Sequence, residues 1–106
     1  MSKEKVGRKY DADKPRWSFL PWEELEEAVL VLNFGAKKYG ENNWQKVKNG
    51  ERRYQDAALR HMKAVMTGEQ NDSETGRHHY AHAICSLLFC LWFNNQRKTK
   101  HARMVR

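Results

Sequence analysis

The sequence has 106 residues, of which 40% are hydrophobic and 31% are charged. This length and balance are typical of one small folded domain and exclude a disordered chain. The formal net charge is +7, but the excess lies at the ends: residues 1–16 carry +3, residues 95–106 carry +5, and residues 17–94 carry −1. Because the middle of the chain is almost neutral, nucleic acid is an alternative partner but not the favoured one.

Hydropathy and cysteine content restrict the cellular setting. The longest apolar stretch, residues 83–93, has 11 residues, whereas a membrane-spanning helix needs about 20. The first ten residues are charged and lack the apolar region of a secretion signal. Cys85 and Cys90 are too few for a disulfide framework, and on a helix they would lie about 140° apart. We therefore expect no membrane partner, two buried thiols, and a cytoplasmic location.

The first predicted helix covers residues 22–38. Pro21 suits a helix start, and Gly40 is the expected terminator. Apolar residues recur at the spacing of one buried helix face: Leu25, Ala28, Val29, Leu32 and Ala36. Four glutamates crowd the first turns, where the helix dipole favours negative charge, and Lys37 and Lys38 close the helix.

Two polar connections flank the second predicted helix. Residues 40–51 contain two glycines and form a loop anchored by Trp44 and Val47. The helix then covers residues 52–67 and carries one apolar side: Tyr54, Ala58, Met62 and Val65. Residues 69–76 are a second polar loop, which holds three carboxylates.

The third predicted helix covers residues 77–94 and is apolar on nearly every side after its first turn. Its large apolar residues are Ile84, Leu87, Leu88, Phe89, Leu91, Trp92 and Phe93. A helix that is apolar all round is buried all round, and two other helices of so short a chain can hardly cover it. The sequence therefore predicts an all-α fold, a small bundle of three main helices completed by homo-oligomerisation. Residues 95–106 are expected to be a frayed or disordered basic tail.

Carboxylates fall into two pairs at helical spacing. Glu24 and Glu27 are three residues apart, and so are Glu69 and Asp72. Each pair can share one helix face. Hard divalent cations such as Mg²⁺ take oxygen ligands, and two carboxylate pairs from facing helices would form a site of a kind that helix bundles hold.

Further candidate metal ligands extend the two carboxylate pairs. Every candidate ligand also has an interpretation without a metal. Glu74 follows the second pair, while His79 and His82 lie three residues apart on the third helix. Imidazole would shift the preference toward Mn²⁺ or a softer ion. Alternatively, the glutamates of the first helix only complement its dipole. In the same way, Asp72 would only cap the third helix, and the histidines would be hydrogen-bonded core residues.

Basic and aromatic residues interleave in a second group. Its members are Lys37, Lys38, Tyr39, Asn43, Trp44, Arg53, Tyr54 and Arg60. Phosphate oxygens bind ammonium and guanidinium donors, and a nucleobase stacks on a flat ring. The alternative is that Trp44 and Tyr54 are core wedges and that the lysines are an exposed helix end.

A series of short sequence motifs, taken in chain order, points to one protein family. The strings are Lys9-Tyr10-Asp11, Lys14-Pro15-Arg16-Trp17, Leu20-Pro21-Trp22, Leu25-Glu26-Glu27, Phe34-Gly35-Ala36-Lys37-Lys38-Tyr39-Gly40, Asn43-Trp44, Arg53-Tyr54, Ala57-Ala58-Leu59-Arg60-His61, Gly68-Glu69, Asp72, Glu74-Thr75-Gly76, His79 and His82-Ala83. Over residues 9–94 the chain resembles the phage dATP/dGTP diphosphohydrolase domain family. That family is similar to the MazG-like all-α nucleoside triphosphate pyrophosphatases.

The resemblance implies an oligomeric hydrolase, a dimer or a tetramer. Its domain would cover residues 1–94, with a basic N-terminal arm (1–16), and a basic tail (95–106) would follow. With Mg²⁺ or Mn²⁺ it would split a purine deoxynucleoside triphosphate, dGTP or dATP, into the monophosphate and pyrophosphate, and so remodel the deoxynucleotide pool. The metal would neutralise the triphosphate and lower the pKa of a bound water that attacks the α-phosphorus.

The resemblance also assigns roles to residues. MazG-like enzymes carry a Glu-x-x-Glu pair and a Glu-x-x-Asp pair, and the matching metal ligands here are Glu24, Glu27, Glu69 and Asp72. Of these, Glu27, Glu69 and Asp72 are the catalytic candidates, and Glu74 and His79 are further candidate ligands. From the chemistry of the basic and aromatic group, and apart from the resemblance, the candidate phosphate contacts are Lys37, Lys38, Arg53 and Arg60. The candidate base contacts are Tyr39, Asn43 and Trp44.

Two other functions stay open at this point. One is a small basic phage protein that binds nucleic acid or a host factor through its tails. The other is a catalytically inactive relative that only binds nucleotides.

Overall fold

The computed structural model describes residues 5–104, and these residues form an all-α fold. Three helices make up the body: α1 (Trp22–Tyr39), α2 (Gly50–Met66) and α3 (His79–Met104). Two short 3₁₀ turns, Trp17–Phe19 and Asn43–Lys46, precede α1 and α2. The predicted three-helix, all-α class is confirmed. No helix in residues 5–104 has the length and hydropathy that crossing a bilayer requires.

Helix α1 matches its prediction to within one residue. It starts directly after Pro21, and it ends where Gly40 takes a φ of 98° and donates its N–H to the carbonyl of Ala36. An L side chain rarely adopts this φ, so glycine is the natural residue for this stop. Lys37 and Lys38 lie in the last turn, where the helix dipole favours cations.

Helix α2 begins two residues earlier than predicted. Asn49 takes the left-handed backbone conformation (φ 56°) and leads directly into the helix. Gly50, the first helical residue, is buried against the ring of Phe93 on α3. The close approach of the two helices at this point depends on the missing side chain of Gly50.

Helix α3 differs from its prediction at both ends. An isolated antiparallel bridge pairs Asn71 with His78, which keeps residues 77–78 out of the helix. At the other end the helix continues through residue 104, so the predicted frayed or disordered tail is wrong over residues 95–104; residues 105–106 lie outside the described range. This stretch has no glycine or proline to stop a helix, and Arg97 forms an ion pair with Glu51 of α2.

Both α1 and α2 run antiparallel to α3. Along α2, Gly50 lies beneath Phe93, whereas His61 reaches the start of α3 and its ring lies 5.1 Å from that of His79. Along α1, the Sγ atom of Cys85 donates to the carbonyl of Ala28 at 3.2 Å. The core residues between α1 and α3 are small: Ala28, Val31, Ala81 and Cys85. Cys85 and Cys90 are both buried, so the predicted buried thiols are confirmed, and burial raises the pKa of the Cys85 thiol to about 11.

The single chain has a small hydrophobic core and an elongated shape. No large side chain in the described range is fully buried. The radius of gyration is 19.5 Å, whereas a compact chain of this length has about 13 Å. One face of α3 stays exposed, with apolar residues at the spacing of one helical stripe: Tyr80, Ile84, Leu87 and Leu91.

We predict that Gly50→Ala destabilises the fold and that Gly35→Ala does not. A Cβ at position 50 would overlap the ring of Phe93, which Trp44 and Trp92 hold from the side. The expected loss is about 1–3 kcal/mol of unfolding free energy. At Gly35, inside α1, an added Cβ meets no atom within 4 Å, and the expected gain is up to about 1 kcal/mol. Urea unfolding at one fixed protein concentration measures both, and equal midpoints for Gly50→Ala and the wild type would contradict the packing.

Candidate functional site

A cavity of about 760 Å³ opens between the second half of α1, the loop before α2, and the inner faces of α2 and α3. Its lining includes titratable side chains at one end and aromatic rings at the other. The titratable residues at the first end include Lys38, His61, Asp72, Glu74 and His82, and the aromatic residues at the second end include Tyr54, Trp44, Phe89 and Trp92. Helix α3 separates the two ends of the cavity, because His82 at one end and Trp92 at the other are ten residues, or about 15 Å, apart along the helix.

The loop between α2 and α3 forms the acidic wall of this polar end. The N–H of Asp72 donates to the carbonyl of Arg77, and the N–H of His79 donates to the carbonyl of Gln70, both at 2.8 Å. With the Asn71–His78 bridge, these bonds close the loop on itself. The carboxylate of Asp72 is therefore fixed beside the first turn of α3.

The Asp72 carboxylate is held in its ionised form. Its Oδ2 atom accepts three hydrogen bonds, from the N–H of Glu74 at 3.1 Å, the N–H of Thr75 at 2.9 Å and the hydroxyl of Thr75 at 3.1 Å. Partial burial acts to raise the pKa of Asp72, but these bonds outweigh it and the pKa lies below its ordinary value. The bonds close a turn in the loop, and α3 begins seven residues later, so Asp72 does not cap that helix.

Three histidine rings gather against Asp72. The Nδ1 atoms of His61 and His79 lie 2.8 Å apart, and the ring of His61 stacks on that of His82 at 4.6 Å. The Nε2 atom of His82 lies 2.7 Å from the hydroxyl of Thr75 and 3.7 Å from Oδ2 of Asp72. The cluster therefore joins α2, α3 and the loop.

His79 is the buried member of this cluster. Its residue is only 6% exposed, and its Nε2 atom has no hydrogen-bond partner among the described residues. The Oε1 atom of Glu69 lies 3.2 Å from this nitrogen, within ion-pair distance but outside hydrogen-bond geometry.

Burial favours the neutral form of the His61 and His82 rings. It lowers the pKa of His61 to about 4, and the neighbouring His82 and His79 add to the effect. Burial also lowers the pKa of His82, although the carboxylate of Asp72 acts in the opposite direction. A neutral imidazole keeps a nitrogen lone pair, which can accept a proton or bind a metal ion.

One group of three metal-donor residues occurs in the described part of the chain. Donor atoms of His61, Asp72 and His79 all lie within 4.8 Å of one another. Asp72 and His79 were among the predicted ligands. His61 was not among them, because helical spacing relates only residues three or four positions apart, and Asp72 and His79 lie 11 and 18 positions after His61. The one sequence signal for His61 was its place in the string Ala57-Ala58-Leu59-Arg60-His61, which carries the family resemblance.

The other predicted ligands lie at varying distances from this group. Glu69 contacts His79, and Glu74 lines the cavity. Glu24 and Glu27 are exposed near the start of α1, and they neither line the cavity nor join the donor group. One chain therefore does not gather both predicted carboxylate pairs in a single cluster, and the roles of Glu24 and Glu27 stay predictions.

The predicted phosphate contacts also divide into two sets. Lys38 lines the cavity and forms an ion pair with Glu74, which raises the pKa of the lysine. Lys37, Arg53 and Arg60 are exposed and do not line the cavity. Of the four basic side chains, only that of Lys38 is in position to contact a ligand inside the cavity of a single chain.

The predicted base contacts Tyr39, Asn43 and Trp44 all line the cavity. Trp44 already stacks on Phe89, with ring centroids 4.2 Å apart and an interplanar angle of 13°, and its edge meets Trp92 at 5.0 Å. Tyr39 is 63% exposed. The alternative interpretation of Trp44 as a packing residue therefore has direct support. Tyr39 has the exposed ring among these three contacts, and the ammonium of Lys38 lies 5.0 Å from its centroid.

Comparisons with known proteins agree on one family. A sequence model of the family described as "dATP/dGTP diphosphohydrolase, N-terminal" matches residues 4–103. A curated protein of Salmonella phage PMBT28, named dATP/dGTP diphosphohydrolase, is 39% identical over 98 residues. These residues are 92% of this chain and 33% of that protein, so the chain spans about a third of its relative's length. No solved structure matches the chain.

We predict that His61 makes the fold sensitive to acid. The folded chain keeps His61 neutral down to about pH 4, whereas the unfolded chain binds a proton near its ordinary pKa of 6.5. The unfolded state binds more protons between these values, so the free energy of unfolding falls as the pH falls from 6.5 toward 4. Thermal melts in EDTA across this range should fall less steeply for His61→Gln than for the wild type. His101→Gln is the control on the exposed part of α3, and equal slopes for His61→Gln and the wild type would refute the assignment.

Proposed function

The chain belongs to the dATP/dGTP diphosphohydrolase N-terminal family, and from this membership we propose that it hydrolyses purine deoxynucleoside triphosphates to the monophosphate and pyrophosphate. The observation that carries the proposal is the two-ended cavity. An ionised carboxylate, neutral imidazoles and a lysine line one end, and aromatic rings line the other. A nucleotide has the matching chemistry, with an anionic triphosphate at one end and a flat base at the other.

The volume of the cavity supports a ligand of this size. Small-molecule sites have volumes of about 300–1,000 Å³, and this cavity has about 760 Å³. The phosphates would lie at the polar end, where the Lys38 ammonium would exchange its ion pair with Glu74 for phosphate oxygens. Tyr39, whose ring centroid lies 5.0 Å from the Lys38 ammonium, would stack on the base where it leaves the polar end, and the Asn43 amide would hydrogen bond to the edge of the base.

The polar end also fits a divalent cation. Asp72 is ionised, and its three hydrogen bonds all end on Oδ2, which leaves Oδ1 for a cation. A bound Mg²⁺ or Mn²⁺ would neutralise triphosphate charge and lower the pKa of a water. His79 offers a further donor atom within 4.8 Å of that of Asp72, and Glu69 lies 3.2 Å from Nε2 of His79.

We also propose that the functional unit contains at least two copies of the chain. The exposed stripe of α3 is formed by Tyr80, Ile84, Leu87 and Leu91. A second copy is the occupant we favour, because one chain has a radius of gyration of 19.5 Å and no large buried side chain. Exposed apolar patches of this kind mark interaction surfaces. A second copy could also bring its Glu24 and Glu27 to the polar end of the cavity.

We expect turnover to depend on Asp72. A panel of deoxynucleoside and ribonucleoside triphosphates with Mg²⁺ or Mn²⁺, analysed by chromatography, should yield monophosphate and pyrophosphate from dGTP or dATP. EDTA should abolish turnover, and Mn²⁺ in excess over EDTA should restore it. Asp72→Asn should lower kcat/KM by about a hundredfold or more. Asp56→Asn is the matched control, because Asp56 is exposed on α2 and does not line the cavity.

The outcomes of this assay separate the candidate functions. Wild-type rates in Asp72→Asn would refute the assigned site. Binding of nucleotide without any product would instead favour the inactive relative. Binding of DNA that weakens steeply with added salt, without turnover, would favour the nucleic-acid alternative.

We predict that Leu87→Glu disrupts self-association. Leu87 is 58% exposed in the single chain and lies in the centre of the α3 stripe, so a second copy would bury it and a carboxylate there would be desolvated. Light scattering after size exclusion should give a mass of at least twice 12.6 kDa for the wild type and a lower mass for Leu87→Glu. Gln96→Glu adds the same charge on α3 outside the stripe and should keep the wild-type mass. A wild-type mass of one chain would refute the assembly.

A further inference from the structure

We propose that His61, Asp72 and His79 form a binding site for a divalent first-row transition ion of the Mn²⁺ class, with His61 of α2 as a ligand. This inference deepens the proposed function, because it names the ion and adds a ligand from a third segment of the chain. It rests on the proposed function only for the role of the ion in hydrolysis.

The first argument is the distance between donor atoms. A metal ion at about 2.1 Å from each ligand atom keeps any two of them within about 4.2 Å. The donor atoms of His61, Asp72 and His79 all lie within 4.8 Å of one another. Side-chain adjustments of about half an ångström would therefore bring them to one ion. The three residues come from α2, the loop and α3, so the fold holds the group from three directions.

The second argument is a buried nitrogen without a partner. A buried polar atom without a hydrogen bond destabilises the folded chain. His79 is 6% exposed, and its Nε2 atom has no such bond within residues 5–104, while its Nδ1 atom meets Nδ1 of His61. Because Nδ1 is the nitrogen that faces His61, the partner that Nε2 lacks has to come from outside the donor group.

Glu69 provides the partner that metal-binding histidines commonly have. An imidazole that binds a metal through one nitrogen usually donates the other N–H to a carboxylate, which fixes the ring orientation. Oε1 of Glu69 lies 3.2 Å from Nε2 of His79, and the Glu69 side chain is 60% exposed and free to turn. With the Nε2 proton on that side, the Nδ1 lone pair of His79 would face His61 and the ion. Glu69 would act as a positioning residue in this arrangement.

The chemistry of the donors selects the class of ion. Mg²⁺ prefers oxygen ligands in octahedral geometry, whereas two imidazoles and one carboxylate suit Mn²⁺ and the ions that follow it in the first transition series. Three protein ligands also leave coordination positions for water or substrate. His61 and Asp72 line the cavity, so those positions would be accessible to a triphosphate that enters beside Lys38.

The test measures metal binding without nucleotide. The full chain is stripped with EDTA, EDTA is removed, and Mn²⁺ is added while electron paramagnetic resonance follows the free ion. We expect one tight Mn²⁺ site per chain and roughly tenfold or weaker binding in His61→Gln and in Asp72→Asn. His101→Gln, exposed on α3, should bind as the wild type does. Mg²⁺ should displace Mn²⁺ only at concentrations about a hundredfold higher.

A measurement on the wild type guards against variants that fail to fold. Imidazole ring signals of the ¹⁵N-labelled chain are recorded by NMR during the Mn²⁺ titration. Substoichiometric Mn²⁺ should broaden the signals of His61 and His79 first and leave those of His101 sharp. Equal broadening of all histidines, no tight site, or unchanged affinity in a folded His61→Gln variant would each overturn the proposal.

The two proposals fail in different ways. Tight Mn²⁺ binding through His61 in a chain that hydrolyses no nucleotide would keep the site and remove the proposed reaction. Hydrolysis that persists unchanged in a folded His61→Gln variant, with unchanged Mn²⁺ affinity, would keep the reaction and remove this site.

Discussion

The hydrogen bonds that close the loop between α2 and α3 fix the whole polar end of the cavity. Two backbone bonds, Asp72 to Arg77 and His79 to Gln70, fold residues 69–76 back on the first turn of α3. The same loop sets the start of α3 at His79 and directs the carboxylate of Asp72 toward the histidines. If the loop opened, Asp72 would leave His61 and His79, and the ion pair from Lys38 to Glu74 would break. The site is therefore a property of the loop rather than of one helix face.

Helical periodicity and helix stop signals were sufficient to predict the three helices of the body. Residues 22–38 were predicted for α1, which ends at Tyr39, because Pro21 and Gly40 are strong local signals. The ends of α3 depended on contacts that local sequence does not encode: the Asn71–His78 bridge delays its start, and its polar extension pairs with Glu51 through Arg97. The charge of residues 95–106 and their few apolar side chains favour a tail, although no glycine or proline in them stops a helix.

The candidate site was only partly predictable for a related reason. Spacing along one helix identifies partners three or four residues apart, so it found Glu69 with Asp72 and His79 with His82. Helical spacing cannot identify a partner that lies on another helix, and His61 on α2 is such a partner. The same limit applies to Glu24 and Glu27, which share a face of α1 but lie outside the donor group of the single chain. Their part in the site depends on the assembly, which spacing does not describe.

The account depends on a cation and a triphosphate meeting at the polar end of the cavity. The most direct measurement is anomalous diffraction at the manganese edge from crystals grown with Mn²⁺ and a deoxynucleotide analogue that cannot be cleaved between its α- and β-phosphates. The account predicts an anomalous peak bounded by His61, Asp72 and His79, with the triphosphate between that peak and Lys38 and the base against Tyr39. A peak held by Glu24 and Glu27 without His61, or a nucleotide bound outside this cavity, would contradict it.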